Sequence, residues 1–340
     1  MYGMAISRRV SLMHTKMIVF SEDFAKEGVG SYLAPITRFR ETRRTMHVAV
    51  VKGKAEDFIK EDMTNIGESL AKSIELITTQ SKNTAFFPEA RFNNFYRGIL
   101  SPYESAIAIY GGVNNFDKLP NSSQKGSSPL VIDNGYLPGD VPREGVTKRE
   151  FAGTAVFNGD KMVGNLDSVE TRYYLLVMGK YKRGIMTIND KEKPSSAIAV
   201  DIRLGRNPQI KSHFENGKPV IDVKLKIEGD IQSIQSRIDY EKLSKLNDLN
   251  NQIKEHLQNG IQKLIEKTQK EFKADIFGFG HKVVDHFSTI QEWQKYNWLS
   301  HYPEAKVNLD VEVNVRRTGL MIYSAPITDP SNDTDGKESK

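Results

Sequence analysis

The sequence predicts an α+β protein of several domains, in which helices pack on mainly antiparallel sheets and one long helix of the C-terminal domain crosses a sheet. Three observations support this class. Val307, Leu309, Val311, Val313 and Val315 alternate with Asn308, Asp310, Glu312 and Asn314, and a period of two places every apolar side chain on one face of a strand. Upstream, Leu243, Leu246, Leu249, Ile253, Leu257, Ile261, Leu264 and Ile265 recur at three- and four-residue spacing, which lays an apolar stripe along one side of a helix. Roughly thirty residues rising about 1.5 Å each would span about 50 Å, the width of a sheet. Gly260 is the expected point of bending. Before that helix, Ile198, Val200, Ile202 and Leu204 alternate, as do Ile221, Val223, Leu225 and Ile227, with Asn216-Gly217 turning between strands. Strands, then a long helix, then a strand is an α+β order.

From the N-terminus, residues 15–20 form a short apolar run that reads as a buried strand, and Ser21 stands as N-cap of a helix with Phe24 turned inward. Residues 47–51 read as a second strand. Residues 55–59 and 65–80 are helical, the latter with Ile66, Leu70, Ile74 and Ile77 on one face, which makes this part an α/β layer. Residues 114–148 are rich in Pro, Gly, Ser and Asn and read as an extended, mobile connection. A hairpin follows, because Asn158-Gly159-Asp160 separates Ala155-Val156-Phe157 from Met162-Val163-Gly164. Pro194 marks a second linker. These signals divide the chain into an N-terminal α/β domain over 1–148, incomplete at its start; a small β-rich middle domain over 149–194; a C-terminal α+β domain over 195–328; and a disordered polar tail over 329–340.

At 340 residues the chain can hold two or three cores. It has no cysteine, which excludes disulfides, thiolate nucleophiles and cysteine-based zinc sites. No run approaches the roughly 18 apolar residues of a membrane-spanning helix. The net charge of +5 comes from 48 Lys and Arg against 43 Asp and Glu. These charges are interspersed, and no aromatic-basic stacking motif accompanies them, which argues against nucleic acid as a partner. A mildly basic surface suits anionic lipid headgroups, or serves only solubility.

The chemical motifs are weak. Phe277-Gly278-Phe279-Gly280 lacks the full phosphate-binding pattern and follows a helix instead of opening one, so it reads as a turn past a helix C-terminus. His281, Asp285, His286 and His301 have the right chemistry for a metal, but the five-residue gap between the first two histidines does not put them on one helix face. No nucleophile elbow of the G-x-S-x-G type occurs, and His14 opens an apolar strand as a structural histidine would. No catalytic, cofactor-binding or metal-binding residue is assigned. Trp293, Tyr296 and Trp298 suit core packing or a partner hot spot, and Arg316 and Arg317 suit a solvated strand end or a partner contact. These five are the candidate partner-contact residues.

Taken in order, Phe277-Gly278-Phe279-Gly280-His281, the segment from Trp293 to Trp298 and the strand closing on Arg316-Arg317-Thr318-Gly319-Leu320 resemble the C-terminal domain of the C subunits of bacterial spore germinant receptors, the Ger(x)C lipoprotein family. Gly153 to Gly164, Glu170-Thr171-Arg172, Gly179 to Gly184, His14 to Val19 and Val51 to Asp57 extend the resemblance over nearly the whole chain. It implies a non-enzymatic, membrane-associated subunit on the outer face of the spore inner membrane, working with membrane-embedded A and B subunits and without a cofactor. Family precursors begin with a secretion signal, a lipid-modified cysteine and a further strand, so the resemblance implies an N-terminal truncation with the lipid anchor absent from this chain. A missing strand would leave an exposed sheet edge. A single acyl chain binds membranes only marginally, so protein partners are expected to share the anchoring. The alternatives are an extracytoplasmic solute-binding protein of a transporter, which needs a two-lobed cleft, and an exported hydrolase, which needs paired carboxylates or a metal.

Overall fold

The structure, a computed structural model, describes residues 12–61, 70–117, 135–145, 147–236, 238–240 and 242–317. The first part of the chain runs β1 (Met17–Ser21), α1 (Glu22–Glu27), α2 (Gly30–Arg38), β2 (His47–Val51), α3 (Ala55–Lys60), α4 (Leu70–Thr84), α5 (Phe92–Leu100), β3 (Ile107–Val113), β4 (Arg149–Asn158) and β5 (Lys161–Leu166). These strands form a five-stranded sheet in the order β1-β2-β3-β4-β5. The first three are parallel, because the helices between them carry the chain back to the same end. All five residues of β2 are buried, as suits a parallel strand covered on both faces. β3, β4 and β5 pair antiparallel, with the expected hairpin turning at Gly159 (φ 59°).

The second part runs α6 (Ser168–Val177), β6 (Gly184–Asn189), β7 (Ala197–Leu204), β8 (Gln209–Glu215), β9 (Lys218–Ile234), α7 (Leu243–Lys267), α8 (Gly280–Val283), α9 (Ile290–Tyr296), α10 (Trp298–His301) and β10 (Lys306–Arg317). Its sheet is ordered β10-β9-β7-β6, with β8 also on β9. β10 lies parallel to β9, while β6, β7, β8 and β9 pair antiparallel. Most pairings in the two sheets together are antiparallel, and the α+β class holds. The long helix lies where its stripe requires: Leu249, Ile253, Leu257, Ile261, Leu264 and Ile265 are all buried in the core it shares with the second sheet.

The expected middle domain over 149–194 is not a separate sheet. β4 pairs with β3 and completes the first sheet, whereas β6 belongs to the second. The Pro- and Gly-rich stretch is therefore an excursion between two adjacent antiparallel strands, and punctuation of that kind looks the same in sequence as a domain boundary. Residues 118–134 of it lie outside the described residues, as do the tail over 329–340 and the first turn of the helix expected over 65–80. The returning part is tied down around a buried carboxylate. Glu150 accepts from Gly139 N (2.8 Å), Arg143 Nε (2.6 Å) and Asn114 Nδ2 (2.7 Å).

Between the sheets lies α6, buried on every side over residues 171–177. Its start is fixed by a capping box, in which Asp167 Oδ1 accepts from Val169 N and Glu170 N while Glu170 Oε2 accepts from Asp167 N. Its side chains join Val156 and Leu166 of the first sheet to Ile198, Val200 and the α7 stripe in one apolar core. Gly260 has a packing role: a Cβ there would sit 2.4 Å from the Tyr173 ring, so glycine lets α6 and α7 approach closely.

Candidate interaction surface

The C-terminal aromatic residues assemble around Asp275. The long helix passes into a π-helical turn over Thr268–Phe272 and stops at Lys273 in the left-handed conformation (φ 50°). Asp275, fully buried, then accepts from Phe277 N (3.2 Å), Gly280 N (3.0 Å) and Trp298 Nε1 (2.8 Å). Its own carbonyl accepts from Ser105 N (2.7 Å), which ties this turn to the first part of the chain. Burial pushes the Asp275 carboxyl up to about 6, against the pull of those donors. The glycines of the turn now have causes: Gly278 holds φ 66°, and a Cβ on Gly280 would meet the Trp298 ring at 2.5 Å and the Tyr103 carbonyl at 2.4 Å. The motif is a turn past a helix, as its position suggests. Asp275 was not singled out by sequence reasoning, although an Asp two residues before a glycine-containing turn is an Asx-turn signal.

Two of the five candidate contact residues are core. Trp298 is 0% exposed and Trp293 2%, so neither is offered to a partner, and their aromatic bulk fills the space beneath α9 and α10. Trp293 stacks on Tyr103 (5.3 Å between centroids) and meets Phe287 edge-on (5.4 Å). Tyr296 lies half-buried at the rim, its ring against His301 (4.3 Å) and Phe287 (4.8 Å). Six residues before it, at the start of α9, Ile290 is 69% exposed. Arg316 is exposed but bonded to Glu228 (2.5 Å), in a chain of charges in which Arg203 also reaches Glu228 (3.4 Å) and Asp230 (2.6 Å) and Arg183 pairs with Asp201. Asp201 and Asp230 face each other across β7 and β9, and these arginines relieve a like-charge pair that would otherwise destabilise the sheet. Arg317 closes β10 opposite Asp230.

The residues with metal-ligand chemistry go separate ways. His281 stacks on Tyr103 (4.9 Å), His286 bonds Ser212 (Oγ 2.9 Å), and His301 covers Tyr296. Among the described residues no group of three His, Asp or Glu converges as a metal site, and no helix is long and apolar enough to cross a membrane. Along α9 the C-terminal part exposes Ile290 at its start and leaves Tyr296 half-buried against the aromatic cluster of Phe287, Trp293 and His301.

The sequence model for the family described as "Spore germination B3/ GerAC like, C-terminal" matches residues 152–319, and that for "Spore germination protein N-terminal domain" matches residues 2–111. The chain belongs to the Ger(x)C family of spore germination proteins. Within the Ger(x)C proteins, Spore germination protein KC of Bacillus subtilis (strain 168) is 24% identical over 334 residues, covering 94% of this chain and 75% of the relative. Spore germination protein B3 of the same organism is 26% identical over 316 residues, covering 91% and 74%. The crystal structure of the GerBC protein matches with a TM-score of 0.63 at 18% identity, over 91% of this chain and 81% of that one, so the fold is shared. The boundary between the two Ger(x)C family matches falls inside the first sheet: one ends within β3 and the other begins within β4, leaving the excursion outside both.

Proposed function

We propose that this protein is the C-type subunit of a nutrient germinant receptor, acting without chemistry of its own by protein contact at the outer face of the spore inner membrane, with membrane-embedded A- and B-type subunits as partners. The observation that carries this reading is family membership along both sheets: relatives named as spore germination proteins align over nine-tenths of the chain. The arrangement of the C-terminal part agrees with it. His281, His286 and His301 are engaged in stacking or hydrogen bonds, while Ile290 at the start of α9 is exposed and Tyr296 at its end is half-buried, the latter a residue type enriched at protein interfaces. The test is genetic. Spores lacking the protein are expected to lose their response to nutrient while remaining dormant and intact, and a copy carrying Ile290→Asp is expected to restore it poorly although the protein accumulates normally. A nutrient response that is unchanged without the protein would sink the proposal.

A further inference from the structure

A cleft of about 490 Å³ opens at the carboxyl ends of the parallel strands β2 and β3, with Lys52, Lys54, Asp57 and Asp117 in its wall beside Gly53 and Gly139. Its position follows from the fold. Successive residues of β2 point to opposite faces of the sheet: Val48 and Val50 belong to one apolar cluster and Ala49 to another. The loop after β2 leads into α3, whose Phe58 meets Phe151 edge-on (5.3 Å between centroids) on the Ala49 face. The segment that returns after β3 sends Leu137 to the other face, against the cluster of Val48 and Val50. Two neighbouring parallel strands thus release the chain to opposite faces. That divergence opens a crevice outside the carboxyl ends, which is where α/β layers bind their ligands.

The far wall of the crevice is held in place. Asn114, 0% exposed, accepts from Phe116 N (2.8 Å) and donates from Nδ2 to Val141 O (2.7 Å) and to Glu150 Oε1 (2.7 Å). One buried side chain therefore fixes both the loop after β3 and the returning segment. A Cβ on Gly112 would stand 3.1 Å from Pro138, and one on Gly139 (φ 87°) 2.9 Å from Val113 O, so glycine lets that segment lie against the end of β3. Clefts of about 300–1,000 Å³ are the size of small-molecule sites, and the charges decide what this one suits. Lys52 and Lys54 follow β2, Asp57 stands in α3 and Asp117 follows β3, and all four are exposed. Lys54 and Asp117 hold no ion pair among the described residues. Glu61 and Asp140 add to the wall, Glu61 being paired with Lys148 (3.7 Å). A polyanion would face the carboxylates and a polycation the lysines, whereas a molecule carrying one carboxylate and one ammonium meets both signs.

We propose that this cleft binds a small zwitterion of the α-amino acid class, with its carboxylate toward Lys52 and Lys54 and its ammonium toward Asp57 and Asp117. Hydrogen bonds between ionised groups are about twice as strong as neutral ones, and a wall already fixed by Asn114 and Glu150 loses little freedom when the ligand enters. The inference stands on the first sheet alone and needs no assumption about the receptor role.

The experiment is titration of the isotope-labelled full chain with each of the common amino acids, following the amide resonances of Gly53 and Gly139. At least one amino acid should shift both saturably. Its N-acetyl and amide derivatives, each lacking one charge, should bind roughly tenfold more weakly or worse. Lys54→Gln and Asp117→Asn should each weaken binding roughly tenfold without moving the melting temperature, since both side chains are exposed. No saturable shift with any amino acid overturns the proposal. So does a derivative that binds as well as its parent, which would mark a site for a single charge, or a variant that binds as wild type. If the titrations fail while receptor subunits copurify with the protein, this inference falls and the receptor reading stands; saturable binding without copurifying subunits gives the reverse.

Discussion

At Asp275 the chain buries a carboxylate completely and surrounds it with the Trp298 indole and the backbone of the Phe277 to Gly280 turn. Because its carboxyl is raised from 3.8 to about 6 in the fold, the native state holds this proton more tightly than the unfolded chain. The associated stability is complete below about pH 4 and is lost as pH rises through about 6, at most about 3 kcal/mol for a shift of two units. Asp275→Asn is expected to flatten that part of the stability profile, measured as denaturant midpoints from pH 4 to 7; an unchanged slope would contradict it. Trp298→Phe removes a donor from the same buried carboxylate and should cost about 2 kcal/mol, with the denaturant m-value unchanged. Neither role is written in local sequence pattern, because burial of a charge depends on chain brought from elsewhere, here Tyr103 and Ser105.

Among the elements, β10 and α7 were the most legible, because a period of two or of 3.6 held over ten or more residues survives any tertiary context. In β10, Val311 is fully buried and Val313 only half-buried. Val311→Asp should therefore cost several kcal/mol and Val313→Asp clearly less, read as melting temperatures. Equal effects would place the strand in the wrong register. The alternation could not reveal that β10 runs parallel to β9, since side chains alternate identically in both kinds of pairing. Gly260 was expected to bend α7, and its physical content is instead the Tyr173 ring. Gly260→Ala would gain about 1 kcal/mol of helix propensity but forces a methyl onto that ring at about 1–3 kcal/mol. Net destabilisation is expected, and it should be relieved by Tyr173→Leu in a double-mutant cycle. Additive effects of the two changes would exclude the contact.

Across the whole molecule, a single buried helix links parts that sequence punctuation separates. α6 carries one apolar core from the first sheet to the second, so the two sheets are expected to unfold together. Leu176→Ala, at a 0% exposed position of α6, should cost about 2–5 kcal/mol and lower one common melting transition; two well-separated transitions would contradict a shared core. Both sheets belong to the same germination family, and the proposed receptor role depends on what the assembled surface binds. The most direct measurement is a pull-down from spore membranes with this protein as bait, wild type beside Ile290→Asp, and partners identified by mass spectrometry. Recovery of multi-span A- and B-type subunits by wild type, with a marked loss in the variant, is the expected result. Recovery of no membrane subunit by the folded wild-type protein would contradict the receptor role.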